Sequence, residues 1–303
     1  MEIEETTAFW GLGALVIYPA LFMGALIAFV VKNKRKRGSR RPFGDDAKLM
    51  RMPGEHLWRR IYQKDISEMQ WTVALMLIPI ILAGVTLQIA TDHFGLSFIA
   101  LGIALVVFLV ALFCCIAWLG RRLERREREY LGFFAERFVA DFLEPLTDKG
   151  WHIFHDMPCA SATASFNLDH VAIGPGGIWV VETKARRKGR LRRGGTAKVR
   201  FDGTKLIWPR WEDPKSVKQA ASHASWLQDW LEARMGKKFN VSVVLTIPGY
   251  NVEVTGTSKA GVRAAAPQDL QDMLIGQGQT VLSGEDIQLI RLQLANHCRD
   301  VVY

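Results

Sequence analysis

Asp169, Glu182 and Lys184 are the residues whose types and spacing can do chemistry. They belong to one stretch, Asn167–Lys184, which reads as two β-strands joined by a turn at Gly174-Pro175-Gly176-Gly177. The turn folds the strands back on each other, so residues at the far ends can meet. Strand alternation puts Glu182 and Lys184 on one face and Thr183 on the other. Two carboxylates and an ammonium would then share one small site. The bland alternative is a surface Glu182–Lys184 pair with Asp169 stabilising a turn. An exposed ion pair contributes only about 0–1 kcal/mol and does not call for this placement.

The flanking sequence supplies elements that can position the trio. Ahead of it, Leu131–Leu146 reads as a helix carrying Glu136, with Phe134, Phe138, Phe142 and Leu146 expected as its buried stripe. Taken alone, Glu136 reads as an exposed carboxylate with a nearby arginine for partner. Gly150–Asp156 reads as a strand and Ala160–Ser165 as a small-residue loop. After Lys184 comes the glycine-punctuated basic run Ala185–Gly195, holding Arg186, Arg187, Lys188, Arg190, Arg192 and Arg193. Standing beside the proposed site, these charges suit phosphate contact. A hairpin follows, Lys198–Phe201 with Lys205–Trp208. Pro214 then opens a helix to Met235, with Val217, Ala221, Ala224, Leu227 and Leu231 inward and Gln219 and His223 on an adjacent face. Phe239–Ile247 suits a central strand, Gly261–Ala265 another, and Pro267–Ile275 and Ser283–Cys298 two closing helices, the last capped by Ser283. The class is α/β.

Before residue 120 the chain has a different character. Ala8–Val31, Trp71–Ala90 and Leu96–Leu119 are uncharged apolar runs of 24, 20 and 24 residues. At about 1.5 Å per residue, each can cross a hydrocarbon core of roughly 30 Å. Three transmembrane helices are therefore expected. The first is expected to be an uncleaved anchor, because acidic Glu2, Glu4 and Glu5 precede it where a signal peptide needs basic residues. Lys32–Arg37, Arg40 and Arg41 follow the first run, and Arg121, Arg122, Arg125, Arg126 and Arg128 follow the third. The loop Thr91–Gly95 has no Lys or Arg, so the N-terminus should lie outside and the chain from Gly120 on should be cytoplasmic, in a multi-pass protein of the inner or plasma membrane.

Within the runs, Ala20, Gly24 and Ala28 form a small-residue stripe for close helix packing, and a homo-oligomeric contact is its second use. Pro79 suggests a kink. The absence of charge inside the runs leaves transport without an intramembrane site. The connection Pro42–Gln70 carries an amphipathic helix starting near Pro53-Gly54-Glu55 and no catalytic signal. The net charge is +9, and the clusters beside the membrane suit anionic lipid headgroups. Cys114, Cys115, Cys159 and Cys298 make neither a disulfide framework nor a metal knuckle.

Asp169 with Glu182-Thr183-Lys184 thirteen residues on resembles the D-(x)n-E-x-K motif of the PD-(D/E)xK nucleases. More narrowly, Leu168–Val171, Gly176–Ile178, Val181–Lys184, Gly189 and Pro214–Gln219 resemble the nuclease-related domain, NERD. The resemblance covers roughly Phe133–Gly249 and implies a restriction-endonuclease-like domain (133–303) with a mixed central sheet flanked by helices; the three expected transmembrane helices (region 1–120) and a juxtamembrane helix (121–132) lie outside it. It implies Mg²⁺ or Mn²⁺ held by Asp169, Glu182 and the Thr183 carbonyl, with Lys184 at a lowered pKa helping to position or deprotonate water. It also implies catalytic support from Glu136 and Gln219, with the basic run tracking the backbone of DNA, RNA being the alternative substrate. The reading is a membrane-anchored, metal-dependent nuclease on the cytoplasmic face. The alternative keeps the fold as a membrane-tethered nucleic-acid-binding or scaffolding module without catalysis.

Overall fold

The computed structural model describes residues 48–95, 97–161, 165–188, 197–276 and 281–302, with residues 21, 22, 24, 25, 28, 29, 31 and 32. The chain divides into two units: Glu68–Leu119 falls in one, Lys48–Ser67 and Gly120–Val301 in the other.

Strand β1 is Lys48–Met50, and helix α1 is Glu55–Phe94, running on through Pro79. Helix α2, Phe98–Leu143, continues without a break past the arginine-rich stretch after residue 120. Among the described residues, two helices are long and apolar enough to cross a membrane, α1 over Leu77–Phe94 and α2 from Phe98. Their apolar side chains are widely exposed, as at Ile80, Val85, Leu105 and Phe113, which suits contact with lipid. The expected count of three is thus two here. Most of Ala8–Val31, including Ala20, lies outside the described residues.

After a short 3₁₀ turn closed by Gly150, the chain forms β2 (His152–Ala160), β3 (Ser165–Gly174) and β4 (Gly177–Thr183). Then come β5 (Lys198–Phe201), β6 (Leu206–Trp208) and β7 (Trp211–Asp213). Helix α3 (Pro214–Met235) leads to β8 (Val241–Thr246), β9 (Asn251–Val254) and β10 (Val262–Ala265). Helices α4 (Leu270–Ile275) and α5 (Gly284–His297) precede β11 (Arg299–Val302).

The central sheet has the order β10-β8-β4-β3-β2. Strands β2, β3 and β4 pair antiparallel, whereas β8 joins β4, and β10 joins β8, in parallel. The sheet is mixed, as expected, and fits a restriction-endonuclease-like plan only loosely. A second sheet has the order β7-β6-β5-β9, and β1 pairs with β11.

Neighbouring residues of the central strands bury on opposite faces. Val180 and Val243 join a core with Leu227 and Leu231 of α3 and Ile290 of α5, while Val181 and Val244 join another with Val139 and Leu143 of α2 and Leu270 of α4. The β3–β4 turn is held by shape: Gly177 has φ +115°, and a Cβ on Gly174 would collide with the Trp151 indole. Helix α3 starts where Pro214 sits at its first position and the Asp213 side chain accepts from the Ser216 amide at 3.0 Å.

The buried face of α2 differs from the expected stripe. Phe134 and Phe138 are 63% and 48% exposed, whereas Phe133, Ala135, Glu136, Val139, Ala140 and Leu143 are buried. Residues four apart advance about 400° around a helix and drift about 40° per step, so four in series cannot hold one face. On α3, Ala220 is fully buried and Ala221 only half-buried.

Leu143→Ala is expected to lower the stability of the full chain by about 3 kcal/mol, and Phe134→Ala by less than about 1 kcal/mol. Thermal unfolding in detergent compares them, and an equal loss would contradict this face assignment.

Candidate active site

The pairing places three carboxylates at one level of the sheet. His155 pairs with His170 and Met157 with Leu168, so Asp156 stands opposite Asp169; His170 pairs with Val181, so the next step brings Asp169 to the level of Glu182. The regular alternation fails at that level. Phe154 and Met157 enter the same core although they are three apart, and so do Leu168 and Val171, whereas a regular strand would send such pairs to opposite faces. Asp156 has φ +49°, a left-handed conformation that a short polar side chain tolerates better than most. The strands turn over where the acids sit.

Short polar contacts involve five of the expected residues. The Thr183 amide donates to Asp169 Oδ2 at 2.7 Å, Lys184 Nζ donates to Glu182 Oε2 at 3.4 Å, and the same Nζ donates to Gln219 Oε1 at 3.2 Å. Glu182 is 1% exposed and its Oε1 meets His223 Nδ1. Phe166 stacks on the His223 ring at 4.6 Å, fixing its plane. Lys184 is anchored in turn by its amide, which donates to the Thr246 carbonyl at 2.9 Å.

Glu136 reaches the same group from α2. It is buried at 6% exposure, which overturns the exposed-partner reading, and its Oε2 has no hydrogen-bond partner among the described residues. Burial, then the charges of Asp169, Asp156 and Glu182, push its pKa up to about 10. Burial and the charge of Glu182 push Asp169 up to about 7. Burial also works against the Glu182 carboxylate, but the hydrogen bond from His223 and the charge of Lys184 outweigh it and hold its pKa low. For Lys184, burial is outweighed by Glu182 and Asp169, so its pKa is raised; the lowered value expected from the sequence is not found. Those two carboxylates also outweigh the nearby Arg186 charge, which keeps Lys184 an ammonium.

This donor set fits a hard divalent cation. Several buried carboxylates crowd one ammonium, two of them lifted far above their ordinary values by mutual repulsion and burial, and one oxygen lacks any partner. Oxygen ligands of this kind suit Mg²⁺, Ca²⁺ or Mn²⁺.

A cleft of about 390 Å³ opens beside the trio, lined among others by Arg128, Lys184, Arg186, Trp211, Lys215 and Gln219. Arg186 lies over the Trp211 ring at 5.5 Å, and Trp211 is 43% exposed. Arg187 instead pairs with Glu127, and its carbonyl accepts from the Tyr250 hydroxyl at 3.2 Å. Lys188 is exposed, and Arg190, Arg192 and Arg193 lie outside the described residues.

The sequence reading missed the role of His223, although its place one turn after Gln219 on α3 was a usable signal. It also missed Arg51, His56 and Asp156. Asp156 is fully buried and accepts from Arg51 Nη1 at 2.8 Å and from the His56 amide at 2.9 Å. A single carboxylate in a strand of apolar residues and histidines was its local mark.

The family model of the nuclease-related domain, NERD, matches residues 131–248. That stretch contains Glu136, Asp156, Asp169, Glu182, Lys184, Gln219 and His223, and excludes Arg51 and His56. Nothing among curated proteins or solved structures matches the chain.

Asp169 sets a pH test. Its pKa in the folded chain, about 7, lies above the ordinary value of 3.8, so its stabilising contribution is complete below about pH 4 and is lost as pH rises through 7. The melting temperature of metal-free protein should fall between pH 5 and 8, and Asp169→Asn should flatten that fall. A profile unchanged by the substitution would contradict the assignment.

Proposed function

We propose, because residues 131–248 match the family model of the nuclease-related domain, that the chain is a divalent-metal-dependent nuclease that hydrolyses phosphodiester bonds in DNA while anchored in a membrane. The carrying observation is the contact chain Asp169–Thr183 and Glu182–Lys184–Gln219 at the edge of a basic cleft. The two candidate membrane helices support the anchor, and the arginines following the second of them favour the cytoplasmic face.

Asp169 and Glu182, with the Thr183 carbonyl, would hold Mg²⁺ or Mn²⁺. When bound, the ion supplies positive charge for the phosphate oxygens and makes a coordinated water more acidic. The chain's own residues do the rest. Lys184, a firm ammonium, donates to a non-bridging oxygen or to the attacking water, held in place by Glu182 and Gln219. Glu136, buried on α2 beside these carboxylates, would hold a metal-bound water or a second ion. His223 fixes the Glu182 carboxylate and leaves its rotamer no freedom. Arg128, Arg186 and Lys215 meet backbone phosphates, and Trp211 offers a base a face to stack on.

One observation favours the second reading, a membrane-tethered nucleic-acid-binding module without catalysis: His223 and Lys184 already engage both oxygens of Glu182. A cleavage assay separates the two. With Mg²⁺ or Mn²⁺ the wild type should cut DNA, and Asp169→Ala, Glu182→Ala and Lys184→Ala should each lose about 10³-fold or more while remaining folded. Activity persisting in all three variants would sink the site assignment. Intact DNA binding without cleavage would favour the second reading. Arg186→Ala should weaken binding across sequences and make the salt dependence shallower by about one unit.

A further inference from the structure

A second group of ligating side chains lies beside the trio; His56 and Asp156 have no role above, and Glu136 is shared with the site already described. It comprises a ring nitrogen of His56 and one carboxylate oxygen each of Glu136 and Asp156, all within 4.8 Å of one another. His56 comes from the start of α1, Glu136 from α2 and Asp156 from β2.

We propose that His56, Glu136 and Asp156 hold a divalent ion of the imidazole-accepting class, Mn²⁺ or Zn²⁺, distinct from any ion at Asp169 and Glu182.

Two independent features support this. Glu136 is 6% exposed, and its Oε2 has no hydrogen-bond partner among the described residues. A buried oxygen without a partner is costly to maintain, and a ligand removes the cost. The second feature is the way Asp156 is held. Arg51 Nη1 and the His56 amide both donate to its Oδ2, at 2.8 and 2.9 Å, while Oδ1 is turned to the His56 imidazole. Outer hydrogen bonds that fix one oxygen and aim the other are how ligating carboxylates are oriented. Arg51 is itself fixed by Asp300, with two contacts of 2.7 Å.

The geometry and the donor types select the ion class. An ion about 2.1 Å from each donor needs donors at most about 4.2 Å apart, a small contraction from the spacing seen. Mg²⁺ prefers an all-oxygen shell with several waters, whereas one imidazole with two carboxylates suits Mn²⁺ or Zn²⁺. The site joins segments 80 and 20 residues apart in sequence, so an ion there would tie Lys48–Ser67 into its unit. It stands whether or not the domain cleaves DNA.

Mn²⁺ added to the full chain in detergent is the probe, read by binding stoichiometry and by pulsed electron paramagnetic resonance for nitrogen coupling. Wild type should bind an ion with ¹⁴N coupling. His56→Ala should bind one ion fewer and lose that coupling, with the affinity at this site down at least tenfold. Asp169→Asn combined with Glu182→Gln should keep the nitrogen-coupled ion even if cleavage is abolished. No ¹⁴N coupling in wild type, or coupling that survives in His56→Ala, would overturn the proposal. Coupling lost in the Asp169→Asn, Glu182→Gln protein but kept in His56→Ala would place the nitrogen at His223 and overturn it equally. Should His56→Ala not fold, His56→Gln, which keeps a polar side chain there, gives the same readout.

Discussion

The unit formed by Lys48–Ser67 and Gly120–Val301 answers to one electrostatic constraint: four carboxylates, on Glu136, Asp156, Asp169 and Glu182, are brought together where little water can reach them. Buried anions that close repel strongly and lose their hydration, so each must find a cation, a donor or a proton. Glu182 takes His223 and Lys184, Asp156 takes Arg51 and His56, and Asp169 takes a backbone amide. Glu136 is left to take a proton or a bound cation. The surrounding architecture can be read as the scaffolding for these solutions. Helix α3 exists in its register so that Gln219 and His223 look at the β4 end, and Phe166 keeps the histidine from turning away.

The locally encoded parts were legible in the sequence. The β3–β4 hairpin follows from alternation and a turn whose glycines have steric work to do, and α3 follows from Asp213, Pro214 and a terminal Gly236 in a left-handed conformation. Glu182 lies on β4 and Lys184 just past its end, whereas the break in alternation around Asp169 was not legible. The buried face of α2 was misread because a spacing of four imitates the helical period over one turn and departs from it over three. Asp156 was invisible for a different reason. Its environment depends on a backbone φ of +49° and on partners about 100 residues earlier, at Arg51 and His56, and no local pattern announces either.

The electrostatics also separate two kinds of charge in the basic part of the chain. Arg186 lies over an exposed indole at the cleft, where its charge remains available to a polyanion. Arg187, one residue on, is engaged by Glu127. Proximity in sequence therefore says little about which cations are free to act, and the division falls within two adjacent residues.

The pairing of β1 with β11 carries a consequence in time. Arg51 and Asp300 meet across 249 residues of chain, and the strand beside Arg51 pairs with the strand that holds Asp300. During synthesis β1 emerges well before β11, so the Arg51–Asp300 contact that braces Asp156 has to wait for β11 to be made. Until then Asp156 lacks the Arg51 geometry seen here. The acid cluster is thus completed only after the strands that carry Asp156, Asp169 and Glu182, β2 to β4, have already been made.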